Sequence, residues 1–201
     1  MSSRAEDFDR ADFDIDDDEP AEPAKVVLVA VEPVPAVVEP AKAARVLWMW
    51  PIDPRLIIRV GQTSGVYRPK KKRFHEGLDI FTKAGTRVYA TTSGTVIRVI
   101  DGRTSKDPKR RGAGLYMDFL TDVQSDGVQY IQRYLHMGSI RQEIQKGFQL
   151  AKNDPIGDVA GPHKSGLSDD PHLHFEVRAV RGTAYGAPLD PRRFLPQLQT
   201  A

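Results

Sequence analysis

The chain has 201 residues, 29 basic and 27 acidic side chains and no cysteine. That length suits one domain of ordinary size plus a tail and excludes two independent domains of typical size. The missing cysteines exclude a disulfide framework and any thiolate metal site, so a bound metal would rest on His, Asp, Glu or water.

Charge is segregated along the chain. Residues 1–45 carry a net −7 and residues 46–201 a net +9, and a cationic domain attracts anionic polymers such as nucleic acid, anionic lipid or cell-wall polymer. The first segment combines an acidic run (Glu6, Asp7, Asp9, Asp12, Asp14, Asp16 to Glu19) with Pro20, Pro23, Pro33, Pro35 and Pro40. This composition cannot bury a core, so residues 1–45 read as a disordered tether that docks the domain to a larger assembly, and residues 46–201 as the folded domain. The Val clusters at 26–31 and 34–38 have the β-propensity to add as a strand to a partner or to the domain's own sheet edge. The longest apolar run there, Val26 to Val31, has six residues, against the ~20 a membrane helix needs, so no membrane span is expected. A secretory signal begins with a positive region, whereas here acidic residues precede the Val-rich run. The expectation is therefore cytoplasmic synthesis followed by a non-standard export route, release by lysis or delivery on a virion, unless the chain has been trimmed.

The folded part starts near Val46 with the apolar stretch Leu47-Trp48-Met49-Trp50 and then reads as short strands. Leu56–Val60, Thr86–Ala90, Thr95–Ile100, Leu115–Leu120, Val128–Leu135 and His172–Val180 are β-branched or aromatic runs bounded by Gly, Pro, Asp or Ser. Turns fall at Thr92-Ser93-Gly94, Asp101-Gly102 and Ser125-Asp126-Gly127, the last of hairpin type. A brief helical turn is expected only at Ser139–Lys146, and the basic connection Gly102–Gly112 is expected as a long loop. The fold class is mainly β: an antiparallel sandwich or partly open barrel with little helix.

The five histidines are His75, His136, His163, His172 and His174. His75 and Asp79 would stand ~13 Å apart in a straight strand, too far to share one ion. The chain must bend between them, and Gly77 offers the freedom to do so. His172 and His174, two apart, share one face of a strand and leave Leu173 and Phe175 to the core. Two imidazoles at that spacing can both bind one zinc, or one can bind while the other flanks the open position.

Taken in order, the blocks His75-x-Gly77-x-Asp79-Ile80, Gly85-Thr86-x-Val88-Tyr89-Ala90, Ser93-Gly94-Thr95-Val96, Tyr134-Leu135-His136-Met137 and Pro171-His172-Leu173-His174-Phe175-Glu176 resemble those of the lysostaphin-type (LytM-like) zinc metallo-endopeptidases. The resemblance covers about residues 50 to 196. It implies one Zn2+ per chain held by His75, Asp79 and His174, with His136 and His172 as the catalytic pair. Two His and one carboxylate with an open position form the ligand set of a catalytic zinc site, at which the metal acidifies water and polarises a carbonyl. One of His136 and His172 would take a proton, and the other would steady the oxyanion or protonate the leaving amine.

The implied function is an endopeptidase that cuts the stem or cross-bridge of bacterial peptidoglycan at the cell wall. Two rivals share the fold: a wall-binding regulator that activates another hydrolase, and a structural component such as a phage tail-tip protein. The presence of all five key residues speaks against a regulator that has lost its ligands. Departures from the family pattern at Pro162-His163-Lys164 and at Asp169-Asp170 border the site and bear on substrate preference, and a third is the long, basic Gly102–Gly112 connection. His163 reads as a solvated loop residue or a substrate contact, and Asp169 and Asp170 as turn-formers or partners for a substrate amine. The runs Lys70 to Arg73 and Lys109 to Arg111 both read as solvated loop charge; because the first immediately precedes His75, the alternative for its Lys72 and Arg73 is attraction of an anionic wall polymer. Nucleic-acid binding is not expected, because no aromatic residues interleave with the basic runs.

Overall fold

The structure, a computed structural model, describes residues 48–68, 73–181 and 184–198. The expected tether, its Val clusters and Lys72 lie outside the described residues. The strands are β1 (Arg59–Val60), β2 (Tyr67–Arg68), β3 (Arg73–Phe74), β4 (Leu78–Phe81), β5 (Arg87–Tyr89), β6 (Gly94–Asp101), β7 (Leu115–Thr121), β8 (Tyr130–Ile140), β9 (Gln149–Leu150), β10 (Pro155–Val159), β11 (His172–Arg181) and β12 (Ala184–Leu189), with one short helix, α1 (Pro108–Ala113). Every strand pairing among the described residues is antiparallel.

One sheet runs in the order β1-β4-β11-β8-β7-β6-β9, with β12 beside β11 and β10 joining β8 to β5; β2 and β3 form a separate ribbon. The early part of β8 pairs with β11 and β7, and its last residues pair with β10. One strand thus serves two parts of the sheet, as a partly open barrel requires. Alternation decides what enters the core. Leu173, Phe175 and Val177 on β11 and Leu78 and Ile80 on β4 are fully buried, in the register Leu173 opposite Ile80 and Phe175 opposite Leu78. Each such side chain contributes about 1.5–3 kcal/mol. Trp48 stacks on Phe194 with centroids 4.5 Å apart, and its backbone N–H donates to the Phe194 carbonyl at 2.8 Å. Trp48 is thereby packed against the last turn of the domain.

Local expectations fail where capping or distant pairing overrides them. Pro54–Leu56 forms a 3-10 turn capped by Asp53, so only Arg59–Val60 of the expected strand is paired. Ser139 and Ile140 complete β8 because β10 pairs with them, and no helix forms across 139–146. The one α-helix among the described residues lies instead in the basic connection. Its N-cap Asp107 accepts from the Lys109 N–H, Pro108 opens it, and Gly114 ends it at φ +74°, the usual punctuation of a helix. No helix among the described residues is long and apolar enough to cross a membrane.

Candidate metal and catalytic centre

Three neighbouring strands, β4, β11 and β8, carry the site. Asp79 on β4 lies directly opposite His174 on β11, and His174 lies opposite Leu135, next to His136 on β8. His75 joins them because the chain bends at Gly77 before β4. The backbone of Gly77 is not left-handed. A glycine is required there for closeness: a Cβ would lie 2.6 Å from the Phe175 carbonyl oxygen and 2.7 Å from His174 Nε2.

The result is a triangle of donor atoms. His75 Nε2 is 3.1 Å from His174 Nδ1 and 3.2 Å from Asp79 Oδ1, and His174 Nδ1 is 2.8 Å from Asp79 Oδ1. Tetrahedral ligands about 2.05 Å from a zinc ion stand about 3.3 Å from one another, so this donor set fits a zinc ion in both chemistry and spacing. All three residues are buried, and three electron-rich atoms this close require a shared proton or a cation among them.

His172 flanks the triangle, its Nε2 3.6 Å from Asp79 Oδ1. Its Nδ1 lies 2.8 Å from the Asp170 carbonyl oxygen. A carbonyl oxygen only accepts, so Nδ1 carries the proton, and in the neutral ring Nε2 is the bare, basic nitrogen facing the triangle. Ser168 Oγ, 3.1 Å from the same Nδ1, donates to the Asp170 carbonyl at 2.7 Å. Phe81 stacks on His172 with centroids 5.0 Å apart, and the Arg59 guanidinium lies 3.3 Å from the centre of the Phe81 ring.

His136 stands with its ring centroid 4.9 Å from that of His172 and 5.9 Å from that of His174. Its φ is +61°, inside a strand. That conformation costs of order 1–3 kcal/mol in a residue with a Cβ. It coincides with register shifts between β8 and both β7 and β10, and a bulge of this kind re-aims a side chain.

Behind the triangle runs a buried chain of alternating charge. His174 Nε2 faces Glu176 Oε1 at 3.2 Å. Glu176 Oε2 accepts from Arg133 Nη1 at 3.1 Å and from Arg178 Nε and Nη2 at 3.2 and 3.1 Å. Arg133 Nε donates in turn to Asp118 at 3.0 Å, and Arg178 Nη2 to Glu76 at 2.5 Å.

These contacts set the protonation states. Burial disfavours the His174 imidazolium, but hydrogen bonds and charge from Asp79 and Glu176 outweigh it and hold the pKa at about 9. Burial also works against the charge of Asp79 and of Glu176. Hydrogen bonds from His174 and His75 overcome it for Asp79, and the Arg133 charge with the His174 hydrogen bond overcomes it for Glu176, so both carboxyls stay well below their usual range. His136 goes the other way: burial, then repulsion from His174 and His172, pushes it down to about 3, with Asp79 opposing. It is a neutral imidazole at physiological pH.

The candidate substrate residues fare differently. His163 and Asp169 are exposed and 3.7 Å apart, in a loop closed by the His163 N–H on the Ser168 carbonyl. They do not join the cluster. Asp170 reaches it through its backbone carbonyl, while its carboxylate lies 3.6 Å from Arg59. Arg73 opens β3, and its side chain, like Lys72, is outside the described residues. Glu176, Arg178, Arg133 and Ser168 are not among the site residues expected from the sequence. One signal was present for two of them: His172, His174, Glu176 and Arg178 recur at every second position and so share one strand face.

A family model described as peptidase family M23 matches residues 73–191. No curated protein matches the chain. Among solved structures, a zinc-containing peptidase from Vibrio cholerae is 27% identical with a TM-score of 0.55, over 75% of this chain and 40% of that one. The antimicrobial peptidase lysostaphin from Staphylococcus simulans is 27% identical with a TM-score of 0.50, over 67% of this chain and 47% of that one. Its catalytic domain, crystallised without phosphate, gives 24% identity and a TM-score of 0.52 over 67% of this chain and 89% of that domain, a likeness of fold. The present chain therefore spans less than half the length of the first two proteins.

Proposed function

The chain belongs to peptidase family M23, and from that premise we propose that it is a zinc-dependent endopeptidase that hydrolyses peptide bonds in the stem or cross-bridge of bacterial peptidoglycan. The observation that carries the reading is the convergence of His75, Asp79 and His174 within 3.2 Å of one another beside a histidine whose basic nitrogen faces them. His75 Nε2, Asp79 Oδ1 and His174 Nδ1 would hold the ion. Bound there, zinc would supply Lewis acidity toward a peptide carbonyl and acidify a water.

The chain's own residues do the rest. His172, its Nδ1–H tied to the Asp170 carbonyl, offers Nε2 to take a proton and later return it to the leaving amine. His136, kept neutral by burial, lines the other side and takes the second role, steadying the oxyanion or the departing amine. The fixed Phe81 stack holds the His172 plane. We assign the peptidase domain to 46–201 and a tether to 1–45, with anionic wall polymers and a larger assembly as further partners and the cell wall as the place of action.

Digestion of purified sacculi of known cross-bridge chemistry, with the new ends identified by mass spectrometry, tests this. New peptide amine and carboxyl ends are expected. Free muramic acid carboxyl groups would instead identify an amidase and overturn the endopeptidase reading.

A further inference from the structure

A carboxylate that is only 3% exposed, as Glu176 is, loses several kcal/mol of solvation unless it is fully paired. The pairing of Glu176 is divided between its two oxygens. Oε2 takes all the guanidinium contacts, from Arg133 and Arg178 at 3.1 to 3.2 Å, and Oε1 is left to His174 Nε2 at 3.2 Å. Neither arginine is free to let the carboxylate turn. Arg133 is held by Asp118 at 3.0 Å and Arg178 by Glu76 at 2.5 Å, so rotation of Glu176 would break several charge-assisted hydrogen bonds at once. The space for this arrangement is kept by Gly77, whose missing Cβ would stand 2.7 Å from His174 Nε2 and 3.0 Å from Glu176 Cγ.

We propose that Glu176, clamped by Arg133 and Arg178, is a positioning residue that holds the His174 proton on Nε2 when an ion takes the ring's Nδ1 beside His75 and Asp79. An ionised carboxylate only accepts, and a neutral imidazole has a single N–H. Without an ion both ring nitrogens face a carboxylate, Asp79 Oδ1 at 2.8 Å and Glu176 Oε1 at 3.2 Å; with Nδ1 on an ion, the acceptor fixed at Nε2 holds the single proton of the ring there. A carboxylate behind a ligating histidine acts on ligand orientation and basicity, and its loss typically lowers metal affinity 10–100-fold. The proposal rests on the metal reading above.

The experiment uses the full chain labelled with 15N-histidine. Long-range 1H–15N spectra of the zinc-loaded protein are expected to show His174 protonated at Nε2 and coordinated through Nδ1. Glu176→Gln and Glu176→Asp, the second too short by one methylene to reach, are expected to weaken zinc binding about 10–100-fold in a chelator competition, with unchanged far-UV circular dichroism. An Nδ1–H tautomer in wild type overturns the proposal, as does a folded Glu176→Gln protein with wild-type zinc affinity. A variant that fails to fold leaves the wild-type spectra to decide. A wild-type protein that takes up no zinc refutes the metal reading and this proposal with it, whereas a zinc-loaded protein with the other tautomer overturns this proposal alone.

Discussion

A single methyl group at residue 77 should disturb both the fold and the metal site. In Gly77→Ala the new Cβ would lie 2.6 Å from the Phe175 carbonyl oxygen, 2.7 Å from His174 Nε2 and 3.0 Å from Glu176 Cγ. The carbonyl belongs to a strand paired on both sides and cannot retreat without opening the ladder, so the strain falls on the bend and on the His174–Glu176 contact. Overpacking of this kind costs about 1–3 kcal/mol, which for a domain of roughly 150 residues lowers Tm by about 2–12 °C. Displacing His174 from Glu176 should also cost about tenfold or more in zinc affinity. Gly127→Ala is the control. Its φ is +76° and a Cβ there meets nothing within 4 Å, so it should lose about 1–2 kcal/mol to backbone strain and leave zinc binding untouched. Thermal melts and chelator competition on both variants give the comparison. A Gly77→Ala protein that melts with the wild type and binds zinc equally well would refute the close-approach argument.

The remaining predictions concern the metal, the catalytic pair, pH and the packing of Trp48. The protein should hold about one zinc, and His75→Ala, Asp79→Ala and His174→Ala should each lower occupancy, measured by elemental analysis after dialysis; full metal in all three would remove the ligand assignment. His136→Ala and His172→Ala should retain most of the zinc yet lose turnover on a soluble muropeptide by roughly 100-fold or more, and a zinc-free His172→Ala protein would make His172 a ligand instead. In the metal-free protein the His174 pKa is raised from 6.5 to about 9. The stability this lends is full below pH 6.5 and is lost as pH rises through about 9, so urea midpoints should fall across that window; a flat profile would contradict it. Trp48, only 2% exposed and stacked on Phe194, should cost about 3–5 kcal/mol on Trp48→Ala. An unchanged urea midpoint would show that the stack is not part of the stable core.

Much of this protein is written locally. The period of two along Pro171 to Val177 places His172 and His174 on one strand face and Leu173 and Phe175 in the core, where both are fully buried. The hairpin at Ser125-Asp126-Gly127 is likewise present, with Gly127 at φ +76° between β7 and β8. These features depend only on alternation and on turn chemistry, which neighbouring residues dictate. Even the missed helix at 108–113 carried its signals in Asp107, Pro108 and Gly114.

What the tertiary structure alone decided is who meets whom. His75 Nε2 and His174 Nδ1 are 3.1 Å apart across 99 residues of chain, a proximity set by strand order and register, which no local pattern encodes. The same holds for the left-handed backbone of His136, imposed by register shifts on both flanks of β8, and for the pairing of Glu176 with Arg133, 43 residues away. Gly77 is the sharpest case. Its sequence position suggests a flexible bend, whereas its neighbours across the sheet show that the space of one absent methyl group lets His174 sit between Asp79 and Glu176. Residue types determine which chemistry is available, and the long-range pairing of β4, β11 and β8 determines which nitrogen of each ring delivers it.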